Sequence, residues 1–242
     1  MRRNADVDWD AWPVADYLAE NYRVLHRADE AVIDHHSAVY ARLGPDTVDR
    51  SVEFGAGPNL YPLALAAAAS RLVHAVERSA AGVAYLRGQL RAGPDSSWDP
   101  FYARCRLRNP ALPPALADAL SRVRVTRADA ATLPAGRYGL ASMNFVAESV
   151  TEDRAEFGAL CRAFIHCVRP GGQLVAAFME NMGRYSINGG RSWPGVPVDS
   201  DAVAEVFAPH VTGLAVRRID ADPALPDWGY TGMILLAAHR AT

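Results

Sequence analysis

The stretch SVEFGAGPNLYPLALA, residues Ser51–Ala66, runs from a short apolar segment through an acid and two glycines into an apolar run of helical character. If the first part is a strand, Glu53, Gly55 and Gly57 fall at its carboxyl end, the edge where open α/β sheets bind ligands. Glycine lets a ligand come close to the backbone, and the helix that follows offers free N–H groups in its first turn. A dinucleotide loop would read Gly-x-Gly-x-x-Gly. Here the sixth position is Leu60, which speaks against a nicotinamide cofactor. The acid in Glu53-x-Gly-x-Gly suits a ligand carrying an amino-acid cation.

Periodicity extends this reading in both directions. Two helices are predicted before the glycine stretch, Ala15–Tyr22 and Ala28–Leu43, the second ended by Gly44-Pro45. Strands follow near Arg50–Phe54, Leu72–Val76, Arg122–Arg127, Gly139–Asn144, Gln173–Phe178, Gly213–Ile219 and Thr231–Ala238. Helices fall between them at Leu60–Ala69, Ala80–Arg91, Asp153–Val168 and Ser200–Phe207. Such alternation predicts one α/β domain over residues 1–242: a Rossmann-like, seven-stranded, mainly parallel sheet with helices on both faces. Residues 1–45 form an N-terminal helical lid and 46–242 the core. Two Gly-, Pro- and aromatic-rich stretches, 92–112 and 183–198, read as long loops inserted in that core.

Two further acids follow the same rule as Glu53. RLVHAVERS ends a predicted strand on Glu77, where a carboxylate can accept both hydroxyls of a ribose, and VRVTRADAATL ends the next on Asp129. Asp129 can accept from an exocyclic adenine amine while Ala130 supplies a backbone N–H. An amino acid, a ribose and an adenine together describe S-adenosylmethionine.

Composition narrows the classes. The formal charge of −2 and the lack of a clustered basic run give no footprint for nucleic acid or an anionic membrane. No lysine occurs among the 242 residues, which excludes a Walker lysine, a Schiff-base lysine and pyridoxal phosphate. Cys105, Cys161 and Cys167 form no Cys-x-x-Cys, and the histidines lack ligand spacing, so neither a disulfide nor a metal site is expected. The charged N-terminus is followed by no apolar signal region, and no apolar run approaches a membrane span; a cytoplasmic protein is expected, as a monomer or weak homodimer.

With DYLAENY at Asp16–Tyr22 and EFGAGPNLY at Glu53–Tyr61, the chain resembles the class I methyltransferases. More narrowly it is similar to the nicotinamide/phenylethanolamine/indolethylamine N-methyltransferase family. SSWDPFYARC, VRPGG and MGRYS extend the likeness over most of the chain. The resemblance implies that Tyr17, Tyr22, Gly55, Asn59, Tyr61, Glu77, Asp129, Ala130 and Asn144 contact S-adenosylmethionine, alongside Glu53 and Gly57 of the glycine stretch. Asn59 stands where the family often has threonine. Phe178 stands where some members carry a carboxylate that holds the acceptor, which argues against nicotinamide itself.

Methyl transfer from a sulfonium needs in-line positioning and exclusion of water more than acid–base groups. Tyr22, Phe178, Tyr185 and Trp193 are the expected acceptor walls; Glu148, Glu180 and Tyr185 are the candidate catalytic groups, with a carboxylate orienting or deprotonating the acceptor. The loop NFVAES lacks the Asn-Pro-Pro-Tyr of enzymes that methylate nucleobase or glutamine amides. The expected reaction is methyl transfer to a nitrogen of a small amine or N-heterocycle. O- or S-methylation of a small aromatic metabolite and a nicotinamide-dependent oxidoreductase are the alternatives.

Overall fold

The computed structural model describes residues 1–223 and 229–242. An N-terminal segment with two short 3₁₀ turns leads to α1 (Val14–Asn21) and α2 (Arg27–Leu43). Then come β1 (Val48–Phe54), α3 (Tyr61–Ala66), β2 (Ser70–Glu77), α4 (Ala80–Ala92), α5 (Asp99–Arg108), α6 (Leu116–Leu120), β3 (Val123–Arg127) and β4 (Tyr138–Asn144). The chain continues through α7 (Arg154–Cys167), β5 (Val168–Glu180), a two-residue ribbon of β6 (Tyr185–Ser186) and β7 (Ser192–Trp193), α8 (Ser200–Phe207), β8 (Val211–Asp220) and β9 (Gly232–Arg240). Gly44 ends α2 with φ +83°, donating its N–H to the Tyr40 carbonyl, so the Gly-Pro breaker acts where the sequence placed it.

The main sheet has seven strands in the order β3-β2-β1-β4-β5-β9-β8. β3, β2, β1, β4 and β5 pair in parallel, and β9 runs antiparallel between β5 and β8. The chain leaves β1 toward β2 on one side and later returns to β4 on the other. This reversal opens a crevice at the carboxyl ends of β1 and β4.

Helices cover both faces, with a separate apolar core under each. On one face Val73, Leu140, Val175 and Leu235 pack under α2, α3 and α5; on the other Val52, Met143, Leu174 and Ile234 pack under α7 and α8. Because side chains alternate along a strand, Val175, Ala177 and Met179 face the first core, whereas Leu174, Ala176 and Phe178 face the second.

One expected loop is a helix. Within 92–112 the structure has a 3₁₀ turn at Ser96–Trp98 and then α5, followed shortly by α6. Pro100 occupies the first turn of α5, where no N–H is needed, so it starts the helix instead of breaking it. Trp98 and Phe101 are buried against Tyr22, so this segment is a wall of the first core. The stretch 183–198 stays mostly irregular, its ribbon turning through Asn188 and Gly189 at positive φ.

Candidate active site

At the crevice, β1 ends on Glu53 and Phe54, and the chain turns sharply. Gly55 has φ +72°, and a Cβ there would come within 2.7 Å of Val146, so both backbone and packing require glycine. Gly57 has φ +55°, and a Cβ there would meet nothing within 4 Å; its outer side is open space for a ligand. The turn is tied to β2 from both ends. Ala56 N–H donates to the Val76 carbonyl at 2.9 Å, and Gly57 N–H donates to Glu77 Oε2 at 2.8 Å. Glu77 Oε1 accepts from Ser79 N–H at 2.7 Å. Glu77 therefore anchors the glycine turn, and the second acceptor site on each oxygen stays available to hydroxyls.

Asp129 caps the short turn after β3, accepting from Ala131 N–H at 2.9 Å, while its other oxygen lies 3.6 Å from Arg78. Glu53 is 2% exposed. Its carboxylate accepts from Asn144 Nδ2 at 2.9 Å and from the Ser142 hydroxyl, yet burial outweighs both bonds and pushes its pKa up to about 7. A buried acid in that state gains from a cationic ligand.

These groups line one cavity. The carboxyl ends of β2 and β3 bring Glu77, Arg78, Ser79, Asp129 and Ala130 to it; β1, the glycine turn and β4 bring Glu53, Gly55, Gly57, Asn59 and Asn144. Its far wall is aromatic and thioether-rich, with Trp12, Tyr17, Tyr22, Met179, Met182 and Tyr185. The cover reaches the cavity through hydrogen bonds: Asn59 Nδ2 donates to the Tyr22 hydroxyl at 3.0 Å, and the Tyr22 and Tyr17 hydroxyls lie 3.3 Å apart. Desolvation raises the pKa of Tyr17 to about 12 and lifts Tyr22 and Tyr185 well above the ordinary tyrosine value.

Five sequence-derived site residues lie off this wall, each for a physical reason. Phe178 sits on the opposite face of the sheet, edge-on to Phe157 and Phe207, because the period of two along β5 gives Met179 to the cavity instead. Glu180 is held by Arg218 at 2.8 Å and by the Thr231 hydroxyl at 2.6 Å, an ion pair that closes the β5–β9–β8 corner. Trp193 stacks at 5.6 Å on Trp9 and lies behind the cover. Tyr61 stacks at 5.9 Å on Phe101 in the core.

Glu148 is fully buried one layer behind the wall, its Oε1 accepting from Met179 N–H at 2.8 Å and its Oε2 without a partner; burial raises its pKa to about 8. It lies in the loop before α7 and caps no helix, since Asp153 does that. His36 is likewise sealed, its pKa lowered to about 3 by burial, and neither it nor His35 lines the cavity.

The residues sequence reasoning missed come mainly from the cover: Asn4, Trp9, Trp12, Asn21 and Asp29. The clustered tryptophans of DWDAW were a usable signal. Asp29 was not, because an acid in the first turn of a helix is ordinary.

No protein-family model matches the sequence, and no curated protein matches it. Solved structures do. The N-methyltransferase NodS from Bradyrhizobium japonicum, in complex with S-adenosyl-L-homocysteine, superposes with a TM-score of 0.60 at 12% identity, over 95% of this chain and 97% of that one. The fold is that of the methyltransferases. The 1,6-didemethyltoxoflavin-N1-methyltransferase of Burkholderia thailandensis matches with a TM-score of 0.51 at 20% identity, over 88% of this chain and 80% of that one. A predicted O-methyltransferase of Agrobacterium tumefaciens matches at 0.51 and 18%, over 87% and 81%. No described helix is long and apolar enough to cross a membrane, and no described cluster of His, Cys, Asp or Glu could hold a metal ion.

Proposed function

We propose that this protein transfers a methyl group from S-adenosylmethionine to a nitrogen of a small amine or N-heterocycle. The observation that carries the reading is the single cavity in which a glycine turn, a buried acid at the end of β1, a turn-anchoring acid at the end of β2 and a capping acid after β3 meet an aromatic wall. The narrower likeness in Asp16–Leu18 and Glu53–Tyr61 adds to it. Glu77 would accept from the ribose hydroxyls, Asp129 and Ala130 would face the adenine, and the Gly55–Asn59 backbone would cradle the remainder. The bound sulfonium supplies an electrophilic methyl.

The chain's own contribution is positioning in a dry site. Tyr17, Tyr22 and Tyr185 are neutral donors and flat walls, since their raised pKa values rule them out as bases near neutrality. An acceptor nitrogen arriving with a free lone pair needs none of them as a base. Glu148, behind Met179, fixes that wall without touching the acceptor.

Calorimetric titration with S-adenosylhomocysteine and NAD, then product mass after incubation with donor and a panel of amines, N-heterocycles, phenols and thiols, tests this. Saturable binding of S-adenosylhomocysteine and a 14 Da gain on a nitrogen compound are expected, ~14 being the mass of one CH₂. Binding of NAD alone would overturn the reading.

A further inference from the structure

Asp29 is a buried carboxylate at the cavity's edge. It lies in the first turn of α2, is 6% exposed, and lines the cavity beside Tyr22, Ala28 and Asn59. Among the described residues it makes no ion pair; Arg104 and Arg108 of α5 turn to Glu30 and Asp34 of α2 instead. Its surroundings raise its pKa to about 7: burial dominates, and the Asp222 carboxylate adds to it. The Tyr61 hydroxyl and the His26 backbone amide pull the other way. The neighbouring Ala28 N–H donates to Asp222 at 3.4 Å, so a second carboxylate lies next to Asp29, outside the cavity lining. Leaving an acid here costs stability unless something positive arrives.

The hydrogen-bond chain locates Asp29 relative to the glycine turn. Asn59, at the end of that turn, accepts from Tyr61 N–H at 3.3 Å and donates to Tyr22, and Tyr61 adjoins Asp29. This corner thus continues the turn away from Glu77 and Asp129. If the nucleoside lies at those acids, the other end of the same ligand lies here. Glu53 already accepts from Ser142 and Asn144, and Asp29 adds a second carboxylate to the same cavity.

Resting on the methyl-donor reading above, we propose that Asp29 binds the α-ammonium of the donor's amino-acid group, making α2 of the cover part of the donor site. Tyr22 and Asn59 complete that corner with a hydroxyl and an amide able to face the adjoining carboxylate.

The test compares S-adenosylhomocysteine with 5′-methylthioadenosine, which keeps the nucleoside and sulfur but lacks the amino-acid group. Both are titrated calorimetrically into the wild-type protein, Asp29→Asn and Asp29→Ala. The expected result is an S-adenosylhomocysteine affinity weakened about tenfold or more, the scale of one charge-assisted contact, with methylthioadenosine within about twofold of wild type. The unchanged methylthioadenosine affinity also shows that the variants are folded. Equal weakening of both ligands, unchanged or tighter S-adenosylhomocysteine binding, or an effect confined to the acceptor's KM would each overturn the assignment. Absence of binding to the wild-type protein would instead sink the donor reading itself.

Discussion

Phe178 and Met179 are adjacent in sequence and lie on opposite faces of the sheet. Both faces of β5 are buried, so a continuous apolar run gives no sign of which residue faces the site. Position at the strand end was legible; orientation was not. Phe178→Leu should lower stability by about 1–3 kcal/mol, because it leaves space between Phe157 and Phe207, while donor affinity and acceptor KM stay unchanged. Met179→Ala should behave in the opposite sense, raising acceptor KM by several-fold, about 3- to 10-fold for the loss of a few methylene-sized contacts. Chemical denaturation and steady-state kinetics on the two variants separate these outcomes, and a change of acceptor preference in Phe178→Leu would contradict the assigned faces. The strand-end acids were readable for a simpler reason. Glu53 and Glu77 combine a polar residue with the carboxyl end of an apolar strand beside the reversal of strand order. The same pattern at Glu180, next to the antiparallel β9, instead marks an ion pair with Arg218.

At the scale of elements, two coverings of the cavity share one fastening. Glu152, two residues before α7, accepts from Arg2 N–H and Nε at 3.1 Å, and from Arg184 Nε and Nη2 at 2.7 and 2.8 Å. These arginines hold its carboxyl down at about 2. Arg2 precedes the cavity-lining Asn4 and Trp9; Arg184 lies between Met182 and Tyr185. The stacking of Trp9 on Trp193 joins the same two segments. Exposed charge pairs contribute at most ~1 kcal/mol each, so Glu152→Ala should leave the sheet intact and loosen the cover. The dissociation rate of S-adenosylhomocysteine should then rise by about fivefold, and proteolysis should increase within residues 1–12 and 183–193. Stopped-flow release and limited proteolysis measure both, and an unchanged rate with unchanged cleavage would refute the shared fastening. None of this was legible beforehand, since ion pairs between distant segments leave no periodic trace. The helical nature of 99–108 was missed because Gly93, Pro94 and Pro100 outweighed the helix that Pro100 begins.

For the whole molecule, the buried acids set the pH response. Asp29 and Glu53 have folded pKa values of about 7 and Glu148 of about 8, all raised by burial above the ordinary carboxylate range. A raised pKa means that the folded state holds the proton more tightly than the unfolded chain. The stability from each proton is complete below the unfolded value, near 4, and is lost as pH rises through the folded value, at up to about 1.4 kcal/mol per pH unit for each proton. His36 acts in the other direction: buried and neutral, it favours the folded state as pH rises, an effect complete once pH exceeds its unfolded value of about 6.5. Between about pH 6.5 and 8 the acids therefore act alone, and Glu148 dominates because its transition comes last. Stability should fall across that interval. Glu148→Gln keeps an oxygen to accept from Met179 N–H and removes the ionisation, so it should be more stable than wild type at pH 8 and show a shallower slope. Denaturant unfolding at half-unit pH steps measures this. A wild-type stability that stays flat or rises from pH 6.5 to 8 would show that Glu148 reaches solvent or a cation, and that the wall behind Met179 is open.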